Sequence, residues 1–144
     1  MVKSNHMERY EQFPHTADIG VRVYGKDMKE LFENAAFAMF DIIADLQGID
    51  APITKNFTLD APDHEQLLVV WLDELLYNFY TKSIIFSRFE VKELTDGCIK
   101  ATASGRPVGE NRNRLKTEIK AATYHGLKIE KTDSGYKVEI VFDI

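Results

Sequence analysis

Two long stripes of apolar residues at helical spacing, each opened by an aspartate with Glu or Gln three residues on, leave this chain few folds to adopt. Met28, Leu31, Phe32, Ala35, Ala36, Met39, Ile42, Ile43 and Leu46 recur at intervals that lay one broad apolar face along a helix. Asp27 stands at its N-cap and Glu30 at the reciprocal position of a capping box. Leu67, Leu68, Trp71, Leu72, Leu75, Leu76 and Phe79 form the second stripe, and Asp63 and Gln66 repeat the capping relation. Phe37 falls opposite the first face and Phe40 on its flank. Either another segment of the chain covers such residues or a partner uses them, and cover by the chain is the simpler expectation.

Period-two segments surround these helices. Tyr10 to Phe13 begins a strand, and Ile19 to Tyr24 alternates, with Ile19, Val21 and Val23 on one face. Pro14-His15-Thr16-Ala17-Asp18 is a short polar connection between them. Asn56 to Asp60 reads as extended, as does Ile84 to Leu94, where Ile85, Phe89 and Val91 favour a strand. Asp96-Gly97 marks a tight turn into a partner strand, Cys98 to Ala103. Leu127 to Ile129 pairs with Val138 to Phe142 across Asp133-Ser134-Gly135. Glu118 to His125 is predicted extended, and Ser104 to Lys116 is the one long irregular stretch. Helices and strands interleave without strict βαβ alternation, which predicts an α+β fold. The expected form is a two-layer domain, a mixed or largely antiparallel sheet with the two main helices packed on one face. Residues 1–9 are read as a flexible lead-in, and 10–144 as a single domain.

A chain of 144 residues buries roughly 68–70% of its unfolded surface, enough for one real core. The single cysteine, Cys98, excludes an internal disulfide framework and a cysteine-cluster zinc site. It fits a reducing compartment, and the cytoplasm is the expected location. No apolar run approaches the roughly 20 residues of a membrane span, and no signal-peptide pattern opens the chain, so no membrane partner is expected. A formal net charge of −5 argues against autonomous tight binding of nucleic acid, which needs clustered cations.

Three constellations could carry chemistry: His15-Thr16-Ala17-Asp18, Lys120 to His125, and Asp143-Ile144. Asp143 and an α-carboxylate on Ile144 present hard oxygen donors close together. Such donors suit calcium or magnesium, and Asp18 joins them if its strand end lies alongside. The plainer reading makes Asp18 a turn or capping residue and Asp143 a solvated tail. His15 and His125 are metal ligands, acid–base groups or surface histidines. Lys120 and His125 point to opposite faces of a straight strand, and only a bend near Tyr124 would reconcile them. Asp73-Glu74 reads as surface charge. Arg106, Arg112, Arg114 and Lys116 belong to a solvated loop, or else to one that contacts phosphate or an acidic partner. No nucleophile elbow, P-loop or zinc-protease helix is present.

The motifs resemble the archease family. The matching blocks are His15 to Gly20, Glu30 to Ala36, Trp71 to Tyr77, Lys120 to His125 and Val141 to Ile144. They stand in the family's order from about residue 10 to the last, and five in order are specific where each alone is weak. The resemblance implies an accessory protein, not itself an enzyme, that promotes guanylylation and repeated turnover of the RtcB-type RNA ligase in tRNA splicing. That ligase joins RNA ends through a guanylylated histidine, so RNA would be met only through it. By position, Asp18, Asp143 and Ile144 match the family's metal site, and the expected cofactor is a divalent metal, calcium first. Lys120 matches a functional lysine, with His15, Thr123 and His125 in support. The alternatives are a free-standing metal-dependent hydrolase using Asp18, Asp143 and His125, and a general chaperone-like interaction module.

Overall fold

The computed structural model describes residues 9–15 and 17–144. Within them run β1 (Tyr10–His15), β2 (Asp18–Gly25), α1 (Met28–Ile43), β3 (Ile53–Asp60), α2 (His64–Lys82), β4 (Ile84–Leu94) and β5 (Cys98–Pro107). A 3-10 turn (Gly109–Arg114), β6 (Ala121–Ala122), β7 (Ile129–Thr132) and β8 (Gly135–Asp143) follow. The lead-in expected over residues 1–9 lies, apart from Arg9, outside the described residues, as does Thr16.

Both helices begin where their caps predict. Asp27 Oδ1 accepts the Glu30 N–H at 2.8 Å, while Glu30 Oε1 reaches back to the Lys26 N–H, also at 2.8 Å. Asp63 accepts twice from Gln66, at 2.8 Å from its backbone and 3.0 Å from its side-chain amide. Helix α1 ends at Ile43, short of Leu46, because Ala44 turns extended and bridges to Leu115. Leu46 still packs on the core, from the loop beyond.

The fold is α+β, and every strand pairing in it is antiparallel. The strands divide into two sheets. One runs β1-β2-β8-β6, with β7 also on β8; the other runs β3-β5-β4. Helix α1 packs against β2 and β4, and α2 against strands of both sheets. Being covered from both sides, α1 buries Ala38 and Phe40 as well as its predicted stripe. Phe40 therefore belongs to the core, its ring 6.0, 5.6 and 5.9 Å from those of Phe79, Phe86 and Phe89. Full burial of each such ring contributes roughly 1.5–3 kcal/mol. Trp71 is fully buried and spends its one polar group on the Phe32 carbonyl, at 3.1 Å. Phe37 is half-buried under the Arg9 guanidinium, 4.1 Å from the ring centre, and against Tyr10. The chain supplies its own cover there.

The stretch from Ser104 to Lys116 is more ordered than its composition suggests. Ser104 to Pro107 complete β5, and the 3-10 turn follows. Arg106 pairs with both carboxylate oxygens of Asp50, and Arg114 Nη1 donates to the carbonyls of Asp45 and Gln47 at 3.0 and 2.8 Å. These two arginines hold the segment to the loop after α1; they are not free phosphate ligands. Likewise Glu118 to His125 is extended only at Ala121–Ala122, and a turn closed by Leu127 N–H on the Tyr124 carbonyl (3.0 Å) ends it. No helix among the described residues is long and apolar enough to cross a membrane.

Candidate functional site

Strand register assembles the site. His15 pairs with Asp18 across the β1–β2 hairpin, and Ala121 pairs with Asp143 across β6 and β8. Ile19 pairs with Phe142, so the next position sets Asp18 across from Asp143. Directly opposed residues of antiparallel strands project to the same face, with Cβ atoms about 4.5–5.5 Å apart. His15, Asp18, Asp143 and Ala121 thus form one row across four strands. The adjacent row carries Phe142 and Ala122, both buried, and so faces the helices. The row with the two aspartates faces away from them.

The hairpin places its residues tightly. Only two residues separate His15 from Asp18, and Ala17 takes a left-handed φ of 62° to close the turn. The short polar connection read over Pro14 to Asp18 is shorter still, since β1 runs on to His15 and β2 starts at Asp18. On the same outward face the Phe13 ring lies flat on Gly20, where a Cβ would stand 2.4 Å from Cε1. Phe13 in turn meets the edge of His15, with ring centres 6.5 Å apart. His15 Nδ1 is buried, lies 3.6 Å from Asp18 Oδ2 and has no hydrogen-bond partner. A buried ring nitrogen in that state needs a ligand or proton partner to be satisfied. The Asp18 side chain is 30% exposed and Asp143 is open to solvent.

The segment Lys120 to His125 borders this row through its backbone. The Lys120 N–H donates to the Asp143 carbonyl at 2.7 Å, which seats Lys120 beside the row. Thr123 gives both its N–H (3.1 Å) and its hydroxyl (2.9 Å) to the Val141 carbonyl. Its Oγ1 also accepts the His125 N–H at 3.3 Å. The turn after Tyr124, with Gly126 at φ 64°, brings the His125 ring to 5.9 Å from His15, edge to face. The segment does bend, at the turn that follows Tyr124. All the residues singled out by sequence, His15, Asp18, Lys120, Thr123, His125, Asp143 and Ile144, converge on one end of one sheet.

Two residues that sequence reasoning passed over hold this segment in place. Asp73 is not surface charge: it is half-buried, and its Oδ1 accepts the Ala122 N–H at 2.9 Å. Burial pushes its carboxyl above the ordinary range, and the Ala122 N–H partly offsets that. Tyr80 donates its hydroxyl to the Ile119 carbonyl at 2.7 Å. The signal was available in the spacing. Positions 73, 77 and 80 share one helix face, and an Asp with two tyrosines on a face outside the apolar stripe suggests another segment docked there.

Among the described residues, no three His, Cys, Asp or Glu side chains gather as a metal cluster. The row offers two carboxylates on one face and an unpartnered imidazole nitrogen, with the Lys120 backbone bonded to the Asp143 carbonyl. Among the described residues it pairs no nucleophile with a base, as acyl or phosphoryl transfer through the protein would require.

The archease protein family model matches residues 10–144. Protein archease of Methanosarcina acetivorans is 44% identical over 141 residues, covering 95% of this chain and 97% of that protein. Protein archease of Pyrococcus furiosus is 37% identical, over 96% of this chain and all of the relative. The solution structure of Methanobacterium thermoautotrophicum protein 1598 superposes with a TM-score of 0.83 at 38% identity, covering 96% of this chain and 100% of that one. With a family model matching nearly the whole chain and relatives well above a third identical, the chain belongs to the archease family.

Proposed function

We propose that this protein is a metal-binding accessory factor that activates an RtcB-type RNA ligase, promoting its guanylylation and multiple turnover in tRNA splicing. The observation that carries the reading is the cross-strand row, which sets Asp18 beside Asp143 on an outward face. Two adjacent carboxylates without a cation partner repel one another, and a divalent ion is what relieves that. Among the described residues no Lys or Arg forms an ion pair with either.

The donor set fits a hard cation such as calcium. Asp18 and Asp143 supply carboxylate oxygens, Ile144 a backbone oxygen, and water the remaining positions that calcium requires. When bound, the ion would neutralise the row and stiffen the strand ends. The chain's own residues then present the docking face. Thr123 pins the turn to Val141, His125 meets His15 edge to face, and Lys120, exposed and backbone-bonded to Asp143, supplies a cation for the ligase or a phosphate it holds. Nothing in this arrangement asks the protein to break a bond itself.

The test is a ligase assay of guanylylation and multiple turnover with wild type and with Asp18→Ala, Asp143→Ala and Lys120→Ala. Stimulation should be lost in all three, and chelator should abolish that of the wild type. Full stimulation by all three variants would sink the reading. Turnover of RNA or nucleotide by the protein alone with divalent metal would favour the hydrolase instead.

A further inference from the structure

We propose that the cleft between the two sheets, far from the aspartate row and independent of the reading above, binds a small hydroxylated phosphate ester of nucleotide or sugar-phosphate size. The cleft measures about 440 Å³, within the range of roughly 300–1,000 Å³ usual for small-molecule sites. Helix α1 provides its floor through Glu33, Asn34 and Phe37; β4 provides one wall, and Gly25 with the β7–β8 turn the other.

Its lining carries three cations beside the carboxylates of Glu30 and Glu33. Arg9, Lys26 and Arg88 all line it, and none pairs with a carboxylate among the described residues. By contrast, Arg22 is committed to Glu11 and Glu139, and Arg106 to Asp50. Arg9 is held ready, its guanidinium stacked on the Phe37 ring. Three guanidinium or ammonium groups around one opening suit a phosphate.

The interior asks for more than an anion. Ser87 is the bulged residue of β4, skipped in its pairing between Phe86 and Arg88. The bulge leaves its Oγ buried and without any hydrogen-bond partner. Buried hydroxyls in folded proteins nearly always have one, and bulges re-aim side chains at sites. Asn34 spends its amide N–H on the Tyr24 carbonyl at 2.7 Å, which leaves its Oδ1 as an acceptor. Glu33 accepts the Val91 N–H through Oε2 at 2.8 Å, which leaves its second oxygen. A ligand that puts its phosphate among the cations and its hydroxyls on Ser87, Asn34 and Glu33 would satisfy all of these.

The experiment titrates the full chain with ribose 5-phosphate, a nucleoside monophosphate, inorganic phosphate and the free nucleoside, following backbone amide shifts. The esters should bind saturably, with shifts at Gly25, Ser87 and Ser134. Inorganic phosphate should bind about tenfold more weakly, and Arg88→Ala should weaken the esters by about tenfold, the loss of one charge-assisted contact. Arg88 is exposed, so that variant folds, and Arg88→Lys should recover part of the loss. Ribose phosphate binding as tightly as the nucleotide would assign the site to sugar phosphates. Tighter binding of the nucleotide would assign it to nucleotides. The proposal is overturned if neither ester saturates, if Arg88→Ala and Lys26→Ala leave affinity unchanged, or if phosphate or nucleoside alone binds as well as the ester.

Discussion

Two rows on the same outward face of the five-stranded sheet invite comparison. Four positions along β2 from Asp18, Arg22 lies between Glu11 on β1 and Glu139 on β8, at 2.6 and 2.9 Å. Its carboxylates share a cation, and hydrogen bonds from Arg22 and Tyr24 hold the Glu11 carboxyl below the usual range. The row at the hairpin end crosses the same three strands and reaches β6, but holds two carboxylates, a histidine and an alanine. One row is finished by the chain itself; the other is not. The difference teaches that acidic residues on a sheet face become a candidate site only where the cross-strand neighbour fails to neutralise them.

The largest effect should come from finishing the second row artificially. Ala121→Lys places a cation beside Asp143, in the role Arg22 plays for Glu139. Calcium affinity measured by calorimetry should fall by about tenfold, because one carboxylate gains a competing charge-assisted partner. The metal-free protein should melt no lower than wild type. Unchanged calcium affinity would break the comparison.

A smaller effect follows at the clamp behind the row. The Asp73 carboxyl is held above its ordinary range by burial, so it binds a proton more tightly folded than unfolded. Its charged form therefore costs stability as pH rises through the carboxylate range, and the cost is complete above the folded value. Asp73→Asn keeps an oxygen for the Ala122 N–H. Denaturant midpoints across pH should show this variant gaining on wild type as pH rises and no better at the acid end. A gap that does not change with pH would refute the assignment.

The smallest effect belongs to the finished row. Arg22→Ala should melt close to wild type at physiological salt and separate from it only at low salt, since exposed ion pairs contribute little and are screened. Its calcium binding should match wild type. A large loss of either would mean that the two rows are one coupled network.

The chain's periodicities were sufficient for its local structure. Both helices start at the aspartates that cap them, the outer strands alternate as written, and the Asp133-Ser134 turn joins β7 to β8 where turn residues predict. Local signals act within a few residues, so a sequence displays them directly. The motif blocks were legible for the same reason, each being a short run. Less visible was the cover on α1. Phe40 looked peripheral on a helical wheel because the wheel assumes one buried side, whereas two separate sheets close over this helix. Ser104 to Lys116 looked irregular because its order rests on Arg106 and Arg114 reaching residues more than fifty positions away.

What the sequence determined by itself was therefore the set of elements and the family, through spacing, caps and ordered motifs. Only the tertiary structure decided which carboxylates meet. Asp18 and Asp143 lie at opposite ends of the chain, and what joins them is the register of β2 on β8, an alignment fixed by burying Ile140 and Phe142 with Val21. Because side chains alternate with period two, a slip of one residue between β2 and β8 would have put the two aspartates on opposite faces of the sheet. The core chooses the register, and the register makes the site.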